Sequence, residues 1–187
     1  MVRHSKIKTV WFVIFVLMNI CLFMYKFLQY RYYRQDIFSQ LGYCVCFARG
    51  TAEALKFNVA FLLLTVSRYF LTNIRDIGNG IIIKYIPIDA FPTIHLMLGI
   101  TIYVLSIIHT LAHSCNYYRI SKAETSEKYA FLGSSLKELW LESTPGYTGI
   151  SMMIILLITG ISTIYKHKYY SFFFITHQLS LMFILLL

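Results

Sequence analysis

The sequence predicts an all-α membrane protein, a bundle of transmembrane helices. Three observations carry that prediction. Of 187 residues, 58% are hydrophobic and only 13% are charged, about half the charged share of a typical soluble domain. The apolar residues fall into separate runs close to the length needed to cross a bilayer. Histidines sit inside those runs: His95 and His109 in one, His177 in another. An ionisable side chain at membrane depth is costly and marks a functional site by default.

The elements follow in order. Residues 1–9 form a short basic segment with Arg3, Lys6 and Lys8, expected on the cytoplasmic side. The membrane domain is expected over 10–187. Its first span covers about Val10 to Phe27. Lys26 and the aromatic-basic stretch Tyr30 to Arg34 follow as an interfacial anchor rather than a signal-cleavage site. The second span covers Thr51 to Leu71, and the third Pro92 to Cys115, with Pro92 suited to a first helical turn. Asn116 to Tyr147 is the one long polar stretch and reads as an exposed loop with some helix, closed by Pro145-Gly146. The fourth span covers Gly149 to Tyr165. The fifth runs from Tyr169 to Leu187, where the sequence stops while still apolar, so the chain reads as a fragment.

Net charge is +9, but the basic residues are scattered through short segments and form no nucleic-acid patch. Counting Lys and Arg by side gives a tie. The purely basic turn Lys166-His167-Lys168 tips orientation toward a cytoplasmic N-terminus. Of the four cysteines, Cys44 and Cys46 form a C-x-C that reads as small buried residues rather than a metal or disulfide pair.

The histidines carry the chemistry. Fourteen residues of helix span about 21 Å and return to nearly the same face. His95 and His109 would therefore present imidazoles to one side of a helix, one near each leaflet. Neutral imidazole is a good axial ligand for haem iron. His113 lies four residues after His109 and shares its face, so spacing alone leaves open which of the two ligates. A zinc reading of His109 and His113 lacks the general-base glutamate, since Thr110 holds that position. Packed, unliganded histidines are the bland alternative. Arg49, Glu53 and Lys56 share one face at the start of the second span, either as salt pairing or as a polar pocket where an oxidant is reduced. Arg68, deeper on that helix, needs an anion such as a haem propionate. No G-x-G-x-x-G, P-loop or nucleophile–base set is present, so no flavin or nicotinamide site can be built from these residues.

The sequence resembles the ferric-reductase-like transmembrane domain of the NADPH oxidases. Ala48-Arg49-Gly50 is similar to that family's second-helix opening. Ser67-Arg68-Tyr69 and Asn73-Ile74-Arg75 are similar to its Cys-Arg-Asn and Phe-Leu-Arg. His95, His109 and His113 match its His, thirteen residues, His-x-x-x-His pattern. Pro145 to Gly149 matches Pro-Gly-x-Thr-Gly, and Thr176-His177-Gln178 resembles Thr-His-His. The segment Tyr85 to Ala90 is closest to the dual-oxidase branch.

This resemblance implies a six-helix bundle, of which five helices are present, with two b-type haems. Electrons would pass from NADPH and FAD, bound in a further C-terminal domain, through the haems to molecular oxygen, giving superoxide or hydrogen peroxide. His95 and His177 would ligate the inner haem. His109 would ligate the outer haem, its partner falling thirteen residues beyond His177 and past the end of the sequence, which leaves that haem incompletely ligated. Arg49 and His113 would flank the oxygen-reducing site, and Arg68 would lie near the inner haem. A plasma-membrane or endomembrane location and a membrane maturation partner subunit are implied too. The fragment alone is expected to be inactive. Glu53 and Lys56 depart from the family pattern. The rival functions are a ferric-chelate reductase built on the same helices and a haem-free channel or assembly protein.

Overall fold

A computed structural model describes residues 2–67, 72–73, 90–123 and 134–186, with side chains from residue 7 onward. Seven α-helices follow in order among the described residues: α1 Val2–Leu28, α2 Gln35–Leu41, α3 Tyr43–Val66, α4 Phe91–Lys122, α5 Thr144–Ile164, α6 Tyr170–His177 and α7 Leu179–Leu186. Widened helical turns at Gln29–Tyr33 and Glu138–Glu142 extend α1 and precede α5. The protein is an all-α membrane bundle. Three stretches of helix among the described residues are long and apolar enough to cross a bilayer: Ile7–Tyr33, Phe91–Lys122 and Thr144–Ile164. Their outward faces carry exposed Phe12, Leu17, Ile100 and Ile161, as lipid contact requires.

Two boundaries differ from the sequence reading, for local reasons. The apolar pattern places the second span from Thr51 to Leu71, but α3 starts at Tyr43 and ends at Val66. Gly42 has φ 62° and turns the chain sharply between α2 and α3, so the helix restarts at once. At the other end Ser67 is already extended. The stretch from Asn116 is not loop at first: α4 continues to Lys122. Before α5, the Ser143 hydroxyl accepts the Gly146 N–H at 3.1 Å, an N-cap, and Pro145 fills the first turn. A Cβ at Gly146 would overlap the carbonyl oxygens of Leu139 and Trp140, so glycine is required there. The fifth span is two short helices, interrupted at Gln178.

The centre of the bundle is α3, which packs along α4 on one side and α1 on the other. Leu55, Val59, Ile102 and Phe183 form one buried cluster between α3, α4 and α7. Leu41, Val45, Cys46, Tyr117, Ile120 and Leu139 form another at the end where α3 begins. Asn19 and Asn58 join α1 to α3 by a side-chain hydrogen bond deep in the apolar region.

The reading of Cys44 and Cys46 as small buried residues holds for Cys46 alone, which is fully buried. Cys44 forms a disulfide with Cys115, 71 positions away, with Cα atoms 6.1 Å apart. Antiparallel packing of α3 on α4 brings the start of one helix to the end of the other, a proximity that spacing along the chain does not reveal.

Candidate functional site

His95 and His109 stand on α4 and meet α3 at two threonines. The Thr65 hydroxyl donates its one proton to the Leu62 carbonyl at 2.6 Å. His95 Nδ1 lies 3.1 Å from that hydroxyl, which accepts from an Nδ1–H while its own proton goes to Leu62. With the proton on Nδ1, the Nε2 lone pair is free. His109 repeats the arrangement. Its Nδ1 lies 2.9 Å from the Ala48 carbonyl, which accepts only, and 3.1 Å from Thr51 Oγ1. The Thr51 proton is already directed to Phe47 and Ala48 carbonyls. Metal-bound histidines are oriented in this way, with the second ring nitrogen donating to an oxygen.

The two sites share one register. Thr51 and Thr65 are fourteen residues apart, as are His95 and His109, and the helices run antiparallel, so each histidine finds its threonine. The repeat is about 21 Å along the helix axis.

At the His95 end, α6 delivers His177 from its last turn. The two rings have centres 6.2 Å apart at 63°. One iron bound by an imidazole on each face, with bonds of about 2 Å, holds the ring centres about 6 Å apart. His177 Nδ1 is buried and lacks a hydrogen-bond partner among the described residues.

At the His109 end, α4 continues through a ladder of rings. His113 lies 4.6 Å from His109 between centres, Tyr117 is 5.9 Å from His113, and Trp140 is 4.8 Å from Tyr117. A cavity of about 400 Å³, in the range of cofactor sites, is lined by Arg49, Lys56, Ser106, His109, His113 and Phe183 among others. The Arg49 guanidinium lies 5.3 Å from the centre of the Tyr30 ring. Of the expected charge row on α3, Glu53 and Lys56 pair at 3.8 Å. No histidine from another helix faces His109 among the described residues.

The structure thus brings His95 to His177, and His109 to His113 and Arg49. Arg68 and the segment Tyr85 to Asp89 lie outside the described residues. His167 is exposed in the turn between α5 and α6. The described residues contain no cluster of three or more His, Cys, Asp or Glu side chains placed to hold a metal ion, so the zinc reading of His109 and His113 gains no ligand set. A facing pair of imidazoles is one of the donor sets that can hold a porphyrin iron. The sequence reading missed Thr51 and Thr65. Their matching spacing was a visible signal, but it acquires meaning only when the two helices are set antiparallel.

Residues 49–187 match the family of ferric reductase like transmembrane components. A respiratory burst oxidase homolog from Arabidopsis thaliana is 34% identical over 160 residues, covering 81% of this chain and 18% of that protein. A superoxide-generating NADPH oxidase heavy chain from Dictyostelium discoideum is 29% identical, covering 98% of this chain and 28% of its own length. Dual oxidase 1 of Caenorhabditis elegans is 31% identical over 90% of this chain and 12% of its own length. The chain therefore spans between about an eighth and a little over a quarter of these relatives. Their similar identities do not single out the dual-oxidase branch.

Proposed function

Because the chain belongs to the NADPH oxidase family, through its ferric-reductase-like transmembrane component, we propose that its membrane electron-transfer domain carries two b-type haems and passes electrons across the bilayer to molecular oxygen. The domain occupies residues 10–187. On this reading α3 makes the second crossing and α6 with α7 the fifth.

The observation that carries the reading is the repeated histidine–threonine register. Two imidazoles, about 21 Å apart along one helix, both have Nδ1 committed to an oxygen acceptor and Nε2 free. Bis-imidazole haem supplies one-electron chemistry without needing a proton at the iron. His95 and His177 would hold the inner haem, and His109 one face of the outer haem. Thr65, Ala48 and Thr51 orient those rings. Arg49 and His113 border the outer cavity, where they place a cation and a hydrogen-bonding imidazole beside an arriving oxygen molecule. Superoxide and hydrogen peroxide are the candidate products. NADPH and FAD would bind in the remainder of the full-length protein.

The disulfide supports a cytoplasmic N-terminus. Cys44 and Cys115 cap the end of the bundle that holds His109, and disulfides persist on the oxidising side of a membrane. That side is extracytoplasmic, so α1 begins in the cytoplasm. The basic turn Lys166-His167-Lys168 then also faces the cytoplasm.

A reduced-minus-oxidised visible spectrum of the full-length protein tests the haem assignment. The expected outcome is a low-spin b-type spectrum, part of which disappears in His95→Ala and in His177→Ala alike. Retention of the full spectrum in both variants overturns it. Oxygen consumption measured against ferric-chelate reduction then separates the two electron acceptors.

A further inference from the structure

We propose that Lys56, oriented by Glu53 and assisted by Ser106, is a tuning residue that raises the reduction potential of the haem held at His109. The proposal rests on the haem reading above.

Lys56 sits where a lysine is costly. It lies thirteen residues from one end of α3 and ten from the other, about 20 Å and 15 Å along the axis. On the reading that α3 crosses the bilayer, those distances exceed what a four-carbon stem reaches by snorkelling, and the Lys56 side chain, 66% exposed from the packed helices, stands at membrane depth. Its level falls between the two histidine sites. It is five residues past Thr51, which meets His109, and nine before Thr65, which meets His95. It is therefore nearer the outer site by about 6 Å of helix.

Its surroundings give the charge a direction. Lys56 lines the cavity that His109 also lines, and Glu53 does not. The two pair at 3.8 Å across one turn of helix. The pair is neutral overall, with the lysine among the residues that line the cavity, its side chain 66% exposed, and the glutamate, 30% exposed, not among them. Ser106 supports this independently. It is 6% exposed, its hydroxyl has no hydrogen-bond partner among the described residues, and it lines the same cavity three residues before His109. An orphaned buried hydroxyl costs free energy unless a bound group satisfies it.

Lys56 gives up neither an electron nor a proton. Its charge lowers the energy of an electron arriving beside His109, an effect that grows as distance and local dielectric fall. On the haem reading the electron would come from a haem held at His95 and His177, oxidised by one unit as a haem held at His109 is reduced by one. Raising the outer potential draws that transfer outward and leaves less driving force for the onward step to oxygen.

Spectroelectrochemical titration of the haem-loaded full-length protein tests the assignment. Lys56→Met keeps the length and removes the charge; it should shift the His109-dependent midpoint to lower potential. Glu53→Gln leaves the cation unneutralised and should shift the same midpoint upward. Lys56→Arg should keep the wild-type value, and Ser106→Ala should move it down by less than Lys56→Met. The midpoint of the His95–His177 pair should move less in every variant. General loosening of the bundle would move Lys56→Met and Glu53→Gln in the same direction. Shifts of the same sign, or none, with haem content preserved, overturn the proposal while leaving the haem reading intact. If no band depends on His109, both fall together.

Discussion

The two histidine sites on α4 are built from one register and end up unlike. At the inner site, His95 has a single oxygen partner, Thr65, and faces a second imidazole from α6. At the outer site, His109 has two oxygen partners, Ala48 and Thr51, no facing histidine from another helix among the described residues, and a cavity bordered by Arg49 and Lys56. The inner arrangement suits a closed, coordinatively complete centre that only relays electrons. The outer one keeps polar space beside the ring, as a centre that must meet a substrate requires. The difference comes from what the other helices present at each level, His177 from α6 at one and the cavity lined from α5 and α7 at the other, since the histidine–threonine spacing is the same.

The largest effect expected from breaking this comparison is loss of a ligand. His177→Ala should abolish the inner-haem band and leave the His109-dependent band, because the histidine ring that His177 meets among the described residues is His95. His109→Ala should do the reverse. Paired spectra of the two variants check this. Loss of both bands in each single variant would mean that the sites do not fold or load independently.

Next is the disulfide. Cys44→Ser should destabilise the protein by about 2–4 kcal/mol, a value reduced if unfolded helices remain in the membrane. The damage should fall on the outer site, because Cys115 is two residues from His113 and Cys44 is five from Arg49. Thermal unfolding with and without reductant, followed at both haem bands, makes the test. An equal loss at the two bands would show that the bridge stabilises the bundle as a whole and not the outer end.

Much of the fold was legible because the bilayer imposes a plain rule. Apolar runs of spanning length appear directly in the sequence, and the C-terminal ends of α1 and α5 lie within one residue of the expected positions, although both helices start five to eight residues earlier than expected. The histidine sites were legible for the same reason, since a polar residue stands out in an apolar run. What could not be read was everything that depends on which helix lies beside which. The partners of His95 and His109, the disulfide and the direction of the Glu53–Lys56 pair all depend on the antiparallel register of α3 against α4. The early start of α3 depends on one backbone angle at Gly42.

A third, smaller difference should appear in the orienting threonines. Thr65→Val removes the oxygen that His95 Nδ1 meets among the described residues and should weaken haem retention at the inner site by about 10–100-fold, the usual cost of losing a partner behind a metal-bound histidine. Thr51→Val should cost less, because the Ala48 carbonyl still accepts from His109. Haem dissociation rates, measured by transfer to an excess of apo-acceptor protein, give the ratio. Equal losses would show that Ala48 does not carry the orientation.

The smallest expected effect is Asn58→Leu. Asn58 is fully buried between α1 and α3, donating to the Ala54 carbonyl and to Asn19. Hydrogen bonds between helices inside a membrane contribute about 0.6 kcal/mol on average and about 1.7 at most, because the alternative state finds other partners. Asn58 Oδ1 has no partner among the described residues, so leucine also removes a buried polar atom. The two terms oppose each other, and the net change should be under about 1 kcal/mol. It should also be symmetric, because the Asn19–Asn58 contact lies on the α1 face of α3 and both histidines lie against its α4 face. Thermal stability should therefore shift slightly while both haem bands keep their midpoints. A shift confined to one band would mean that α1 transmits to the sites through α3, so that α1 joins α3, α4, α5 and α7 in shaping the outer cavity.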